Sequence, residues 1–432
     1  MGGGQNIVLR ARWVVPVEGP PIENGAVAIH DGGVVAVATA RDLAATALED
    51  LGDVVLLPGF VNAHTHLELS RLVGVLPTDS GFVPWLERLT AMLRAGADPD
   101  RDIEASVRAG LRESAASGVT VLADVTRRPE VVRRLLADGP LRALSFGEVI
   151  AVGRIRGELT SRLDAAAGVG APGHVGGSRP ADSSCLLRIG ISPHSPYTVE
   201  PDGLRACAAR AGETALPLCV HLAETAEEEM FTVGGTAIEG AAPERGPLQK
   251  YLKRLDVWDD AVPCPRRRPV ELAAECGLLR NDTVLAHANF VSDADIQIIA
   301  ESGAHVAYCP RTHRAFGHPP HRFREMLGAR INVCVGTDSL ASNPSLSVLD
   351  ELRFLRREFP HVPPQTLLRM GTLNGARALG WDERIGSLRP GKDADIVAVP
   401  YDTSGPTDPL VNVLTSTLAP AAAYVRGIRR AP

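Results

Sequence analysis

Pro58-Gly59-Phe60-Val61-Asn62-Ala63-His64-Thr65-His66-Leu67 closes an apolar run with two histidines two residues apart. In an extended strand, residues i and i+2 lie on the same face. His64 and His66 can therefore aim two imidazoles at one point, as a metal ion requires. A lone His-x-His also arises on ordinary surface strands. Here the pair is the first of several ligand types that recur along the chain, each at the end of an apolar strand-like run.

Eight such runs alternate with helical patterns: Gly59–His66, Val119–Val125, Ala143–Ile150, Leu187–His194, Leu216–Leu222, Thr283–His287, His305–Cys309 and Ile331–Asp338. Apolar residues at helical spacing fill Asp102–Ala116, Pro129–Ala137, Ser292–Ser302, Pro344–Glu358 and Pro364–Leu379. Pro344 and Pro364 suit a first helical turn. Eight strand–helix units predict an α/β fold, a (β/α)8 TIM barrel over residues 59–385, with its site at the C-terminal ends of the strands. Residues 1–58 and 386–432 read as β: Ile7–Val15, Gly25–His30, Val34–Ala38 and Asp53–Leu57 at the start, Ile396–Val399, Ala421–Val425 and Ile428 at the end. They predict a small flanking β domain built from both chain ends. Residues 166–184, rich in Gly, Ala, Ser and Pro, read as a flexible loop. Residues 225–275, with Phe231, Tyr251 and Trp258, read as a lid-like insertion on the active-site side.

The bulk composition narrows the function. The 432 residues are 45% hydrophobic and carry a formal charge of −6. That balance suits a soluble globular chain of one large domain, alone or with a small one. Lysine is confined to Lys250, Lys253 and Lys392, and no basic block with interleaved aromatics supports nucleic-acid binding. No apolar run is long enough to cross a bilayer. Met1-Gly2-Gly3-Gly4-Gln5 lacks the features of a secretory leader. Seven scattered cysteines without a Cys-x-x-Cys pair argue against a disulfide framework or zinc ribbon, so a cytoplasmic setting is expected.

Polar residues close the strand candidates at one rim. The first ends in His64 and His66, the fourth in His194, the fifth in His221 followed by Glu224, the sixth in His287 and the eighth in Asp338. Any one of these could be a satisfied core residue, but six strand-end residues at one rim, with Glu224 beside them, make that improbable for the set.

With these residues placed, the chain resembles the amidohydrolase superfamily, in its nucleoside and nucleobase deaminase and chlorohydrolase branch. The matching motifs are Pro58–His66, Ser192-Pro193-His194-Ser195-Pro196-Tyr197-Thr198, His221-Leu222-Ala223-Glu224-Thr225, Leu285-Ala286-His287-Ala288-Asn289, Gly336-Thr337-Asp338-Ser339 and the tail Gly386–Val397. The likeness spans nearly the whole chain. The resemblance implies that His64, His66, His221 and Asp338 bind one divalent metal, zinc or alternatively iron. It implies that His287 helps deprotonate an activated water, that Glu224 protonates a substrate ring nitrogen and that Asp338 passes a proton to the leaving amine. His194 is expected to contact substrate. Binuclear relatives use a carboxylated lysine, and no lysine lies between His66 and His221. Glu148 could bridge a second metal in principle, but a substrate contact or a structural role is expected of it.

Tyr308–His313, Phe316–Pro320, Ser339–Pro344 and Leu349–Phe354 are similar to the aminodeoxyfutalosine deaminase group. That likeness implies an adenine-type nucleoside carrying an aromatic carboxylate as the small-molecule substrate. Arg311 and His313 are then candidate contacts, Arg311 pairing either with a carboxylate of the substrate or with one at the barrel rim. Trp85 could lie against the heterocycle or pack as an ordinary helix residue. His318 and His321 are expected on the surface or in a lid. The alternatives are a chlorohydrolase acting on another N-heterocycle such as an s-triazine, and a non-catalytic metal-binding relative. A homodimer is common among relatives.

Overall fold

The computed structural model describes residues 6–43, 47–96, 99–169, 186–235 and 244–431. Its centre is a parallel sheet of eight strands in chain order. They are β1 (Phe60–Thr65), β2 (Val119–Thr126), β3 (Arg142–Val149), β4 (Leu187–Pro193), β5 (Leu218–Leu222), β6 (Thr283–His287), β7 (His305–Tyr308) and β8 (Asn332–Val335). The sheet curls until its ends meet. The backbone N–H groups of Thr337 and Asp338 donate to the His64 carbonyl at 3.1 and 3.0 Å. Gly336 permits this approach, because a Cβ there would lie 2.8 Å from the His64 Cβ and 3.0 Å from its backbone N and O.

Alternation along the strands sorts side chains between two layers. In β5, Leu218, Val220 and Leu222 join the cluster that also holds Leu204, Cys207 and Ala211 of the Pro201–Thr214 helix. Cys219 belongs to a second cluster, with Val121, Ala123, Leu144, Phe146, Val284 and Ala286. His221, two residues further on, is carried to the same side as Cys219 at the strand's C-terminal end. Trp381 and Ile385 join that second cluster. The turn before Trp381 accepts from Arg188, near the start of β4, at the carbonyls of Leu379 and Gly380.

Both chain ends contribute to one six-stranded sheet, in which Val54–Pro58 pairs antiparallel with Ile396–Pro400. A four-stranded sheet holds Asn6–Arg10, Gly25–His30, Gly33–Thr39 and Leu48–Asp50. The expected strand Ile7–Val15 is therefore two. Asn6–Arg10 lies in the four-stranded sheet and Trp13–Val14 in the six-stranded one, with the chain crossing at Ala11 and Arg12. The expected helix at Pro344 begins later, at Val348, where the Ser347 side chain accepts from the Asp350 N–H as an N-cap. The Pro364–Leu379 pattern is broken into Pro364–Met370 and Leu373–Ala378. Between them Gly371 sits against Leu352, where a Cβ would approach Cδ1 to 2.7 Å.

Among the described residues the insertion carries three helices, Ala226–Val233, Gly246–Arg254 and Pro269–Glu275. Phe231, Tyr251 and Trp258 pack with Phe82, Trp85 and Tyr197 in one buried cluster beside the barrel mouth. The expected flexible loop over 166–184 lies mostly outside the described residues. No helix among the described residues is long and apolar enough to cross a membrane.

Arg142, at the start of β3, is fully buried and donates to Asp395 through Nε at 2.8 Å and to Asp393 through Nη2 at 2.6 Å. This ties the barrel to the C-terminal lead-in. Removing one partner of a buried pair leaves an uncompensated charge, so Arg142→Met should lose about 3–5 kcal/mol of stability in denaturant titration. A loss below about 1 kcal/mol would mean that the pair is no better than an exposed one.

Candidate metal and active site

Four imidazoles meet at the mouth end of β1, β5 and β6: His64, His66, His221 and His287. His66 Nδ1–H donates to the Val125 carbonyl at 3.1 Å, and His221 Nδ1–H donates to the His194 carbonyl at 3.1 Å. Each proton is thereby fixed on Nδ1, leaving Nε2 as a lone pair. Those two Nε2 atoms face each other at 3.1 Å. His64 is fully buried, and neither of its ring nitrogens has a hydrogen-bond partner. Asp338 Oδ1 lies 3.8 Å from His64 Nε2 and 3.7 Å from His66 Nε2. Lone pairs brought together without donors repel one another unless a cation lies among them, so this donor set fits a divalent metal of the zinc type. Burial, reinforced by neighbouring imidazoles, pushes the His64, His221 and His287 pKa values well down, which keeps the rings in the neutral form that ligates.

His287 Nε2 has no hydrogen-bond partner and sits 3.5 Å from Glu224 Oε1. Burial, together with Asp338 and Glu228, holds the Glu224 pKa well above the usual carboxylate range. That environment favours the protonated form of its carboxyl. Glu228 accepts the backbone N–H groups of Ala223 at 3.0 Å and Glu224 at 2.8 Å, and Asn289 Nδ2 donates to the Glu224 carbonyl at 3.0 Å. Ala223, His287, Ala288 and Asp338 have φ values of 51°, 75°, 50° and 59°, left-handed positions that non-glycine residues avoid. Their concentration at three strand ends marks where packing over-determines the backbone.

One cavity of about 350 Å³ opens over this centre, lined by His66, His194, His221, Glu224, His287 and Asp338 below, with Trp85 and Glu148 on its walls. His194 Nδ1 bonds Thr198 Oγ1 at 2.6 Å, and its Nε2 lies 4.0 Å from Glu148 Oε1. Burial drives the His194 pKa down to about 3 and the Glu148 pKa up to about 8. Trp85 is buried, reaches the Ala341 carbonyl through Nε1 at 3.0 Å and presents part of its ring to the cavity.

Arg311 and His313 do not line the cavity. Arg311, expected as a possible substrate contact, donates through Nε to the fully buried Glu351 at 2.7 Å and through Nη2 to Ser345 Oγ at 2.8 Å. The carboxylate it binds is the protein's own. His313 is buried among Tyr308, His318 and His321. His321, expected at the surface or in a lid, is 3% exposed and stacks on Tyr308 with ring centroids 3.8 Å apart.

Sequence reasoning missed what His321 does. Its Nε2–H donates to the His287 carbonyl at 2.9 Å, at a residue whose backbone is left-handed. Burial keeps its pKa near 3, so the ring is neutral. His321→Phe would keep the stacking and remove the donor, and is expected to lower kcat roughly tenfold to a hundredfold by shifting His287. His321→Gln should recover part of that loss. Equal kcat in the wild type and the Phe variant would separate His321 from the site. Arg94, Arg127, Glu68, Tyr197 and Tyr251 also line the cavity. Only Tyr197 fell within a quoted motif, and only Tyr251 was noted in the insertion.

A parallel eight-stranded barrel with imidazoles and carboxylates at the C-terminal ends of its strands is the architecture of a barrel enzyme with a candidate metal site. The chain belongs to the amidohydrolase family, whose profile matches residues 55–428. It is thus a hydrolase of carbon–nitrogen bonds other than peptide bonds. The 5-methylthioadenosine/S-adenosylhomocysteine deaminase of Moorella thermoacetica is 30% identical over 404 residues, 91% of this chain and 85% of that protein. Two solved structures share the fold. Helicobacter pylori aminofutalosine deaminase, in complex with methylthio-coformycin, has a TM-score of 0.82 at 20% identity, covering 98% of this chain and 99% of that one. The atrazine chlorohydrolase of Arthrobacter aurescens, complexed with zinc, has a TM-score of 0.81 at 21% identity, covering 98% and 95%.

Proposed function

We propose that this chain is a metal-dependent hydrolytic deaminase acting on the adenine-type base of a nucleoside, with an aminodeoxyfutalosine-like substrate favoured. One observation carries the reading: a buried Glu224 stands 3.5 Å from His287, beside converging lone pairs on His64, His66 and His221. The deaminase name of the Moorella relative supports the same chemistry. We assign His64, His66, His221 and Asp338 as the ligands of one divalent cation, zinc before iron. When bound, the cation supplies Lewis-acid polarisation that brings a water pKa toward neutrality.

The protein's own residues do the rest. His287 accepts the proton of the attacking water through its unpartnered Nε2. Glu224 donates its proton to the ring nitrogen next to the attacked carbon, which draws electrons away from that carbon. Asp338 takes the remaining proton of the added hydroxyl and passes it to the exocyclic amine, which leaves as ammonia while the ring carbon becomes a carbonyl, and His287 hands its proton back to Glu224 3.5 Å away. His194, Glu148 and Trp85 orient the heterocycle from the cavity wall.

The test is ammonia release by the zinc-loaded protein from aminodeoxyfutalosine, S-adenosylhomocysteine, methylthioadenosine, adenosine, guanine and cytosine. Release from an adenine nucleoside is expected. A zinc-filled protein that releases none from any of the six would overturn the reading and favour dehalogenation of a heterocycle.

A further inference from the structure

Asp338 has two jobs and one carboxylate, and its two oxygens stand in different surroundings. Oδ1 faces the imidazoles, 3.8 Å from His64 Nε2 and 3.7 Å from His66 Nε2. Oδ2 accepts the Ser342 hydroxyl at 3.1 Å. The backbone N–H of Ser339 is a further donor to the carboxylate. The main chain of Asp338 is pinned independently of its side chain. Its N–H donates to the His64 carbonyl at 3.0 Å, and its own carbonyl accepts Thr65 Oγ1 at 3.0 Å and Thr337 Oγ1 at 3.1 Å. These bonds fix the Cα and do not tell the two oxygens apart. The terminal torsion of an aspartate is broad and nearly two-fold, so half a turn exchanges Oδ1 with Oδ2. The Ser342 bond breaks that symmetry.

Ser342 is buried and rigidly held. The backbone N–H groups of Ser342 and Asn343 donate to the Ser339 carbonyl at 3.1 and 3.0 Å, closing a turn. Asn343 Nδ2 donates to the Thr337 carbonyl and to Glu351 Oε1, both at 2.7 Å. Trp85 Nε1 reaches the same turn at the Ala341 carbonyl. The Ser342 hydroxyl also lies 3.3 Å from the Ser339 carbonyl and 3.3 Å from Thr312 Oγ1. A serine in a turn often bonds the carbonyl three residues back and does nothing more. Here the same hydroxyl has a second acceptor, and that acceptor is the carboxylate of the site. A hydroxyl both donates and accepts. While Oδ2 is ionised, Ser342 donates to it. When Oδ2 carries a proton, Oδ2–H donates to Ser342 Oγ and the serine proton turns to the Ser339 carbonyl. Oδ2 is then hydrogen-bonded in both states.

We propose that Ser342 is a positioning residue for Asp338: it holds Oδ2 so that Oδ1 is the oxygen offered to the cation, and keeps Oδ2 hydrogen-bonded while that oxygen collects and releases the hydroxyl proton. This rests on the roles given to Asp338 in the deaminase reading and adds the residue that divides them between its two oxygens. No proton is gained or lost by Ser342 over the cycle, since its O–H turns away when Oδ2 is protonated and turns back when the amine takes that proton.

The test compares Ser342→Ala and Ser342→Thr with the wild type. Zinc affinity is measured by competition with a chromophoric chelator, melting curves are taken with and without zinc, and kcat and KM are measured on the compound of the ammonia-release panel that turns over fastest. Loss of a hydrogen bond behind a metal ligand weakens metal binding or activity by about 10–100-fold. Ser342→Ala should therefore bind zinc about tenfold more weakly or worse and lose kcat by a similar factor, with KM little changed. Its metal-free midpoint should match that of the metal-free wild type, because the turn keeps its backbone bonds. Ser342→Thr restores the hydroxyl and should recover most of both losses. Unchanged zinc affinity and kcat in Ser342→Ala would overturn the assignment and leave Ser342 as a turn residue. Equal losses in the Ala and Thr variants, at equal metal-free midpoints, would overturn it as well, since the hydroxyl would not be the cause. If no compound releases ammonia but zinc affinity falls in the Ala variant and returns in the Thr variant, the orienting role stands and the deaminase reading falls.

Discussion

Glu224→Gln is expected to keep the metal and reduce turnover by about 10²–10⁴-fold. The substitution is nearly isosteric at a buried site, so the cavity and the nitrogen cluster beneath it should be undisturbed. Glutamine can still donate a hydrogen bond, but it has no proton to release to a ring nitrogen. The surroundings of Glu224 are built to keep that proton available: burial and the nearby Asp338 and Glu228 raise its pKa. Glu228 and Asn289 meanwhile fix its backbone from both sides. Ammonia release and elemental analysis on the same preparation separate the two effects. A filled site with wild-type turnover would remove Glu224 from the mechanism, and an emptied site would mean that it shapes the metal cluster instead.

Stripping the metal with a chelator should abolish turnover and lower the thermal midpoint, and zinc should restore both. The nitrogen-to-nitrogen approach of His66 and His221 at 3.1 Å is repulsive between neutral lone pairs, and two unpartnered nitrogens of His64 add to the cost. A cation converts those costs into ligand bonds. At free metal near a thousand times Kd, binding to the folded form alone contributes about 4 kcal/mol. The check is a pair of melting curves and rate measurements before and after chelation. Full activity in a protein shown to be metal-free would overturn the ligand assignment.

The barrel was legible because its strands are short apolar runs whose polar residues fall at the ends. Thr283–His287 was read to the residue, and the other seven strands matched within a few residues at either end. The gathering of His64, His66, His221, His287 and Asp338 followed from that periodicity alone. Pro344 misled because proline suits both a helix start and an extended loop. Ser347, three residues on, was the better signal, since its side chain caps the helix. Arg311 was left open between two partners and His321 was misplaced, for another reason. Both lie in segments that follow strands, where no repeat dictates direction and tertiary partners decide. Glu351 claims Arg311, and the stack on Tyr308 turns His321 inward. Arg94 and Arg127 carry no motif: the first stands on the Phe82–Ala95 helix and the second in the turn after β2, and only the fold brings them to one cavity wall.

The closure of β1 on the segment after β8 has a consequence for biosynthesis. His64 and Asp338 are 274 positions apart, yet the N–H of Asp338 bonds the carbonyl of His64. A nascent chain emerging from the ribosome carries His64 and His66 early, His221 and His287 midway and Asp338 near the end. The fourth ligand of the proposed set is thus delivered by the event that seals the cylinder. Metal loading and ring closure become a single late checkpoint, and a chain truncated before residue 338 would lack both.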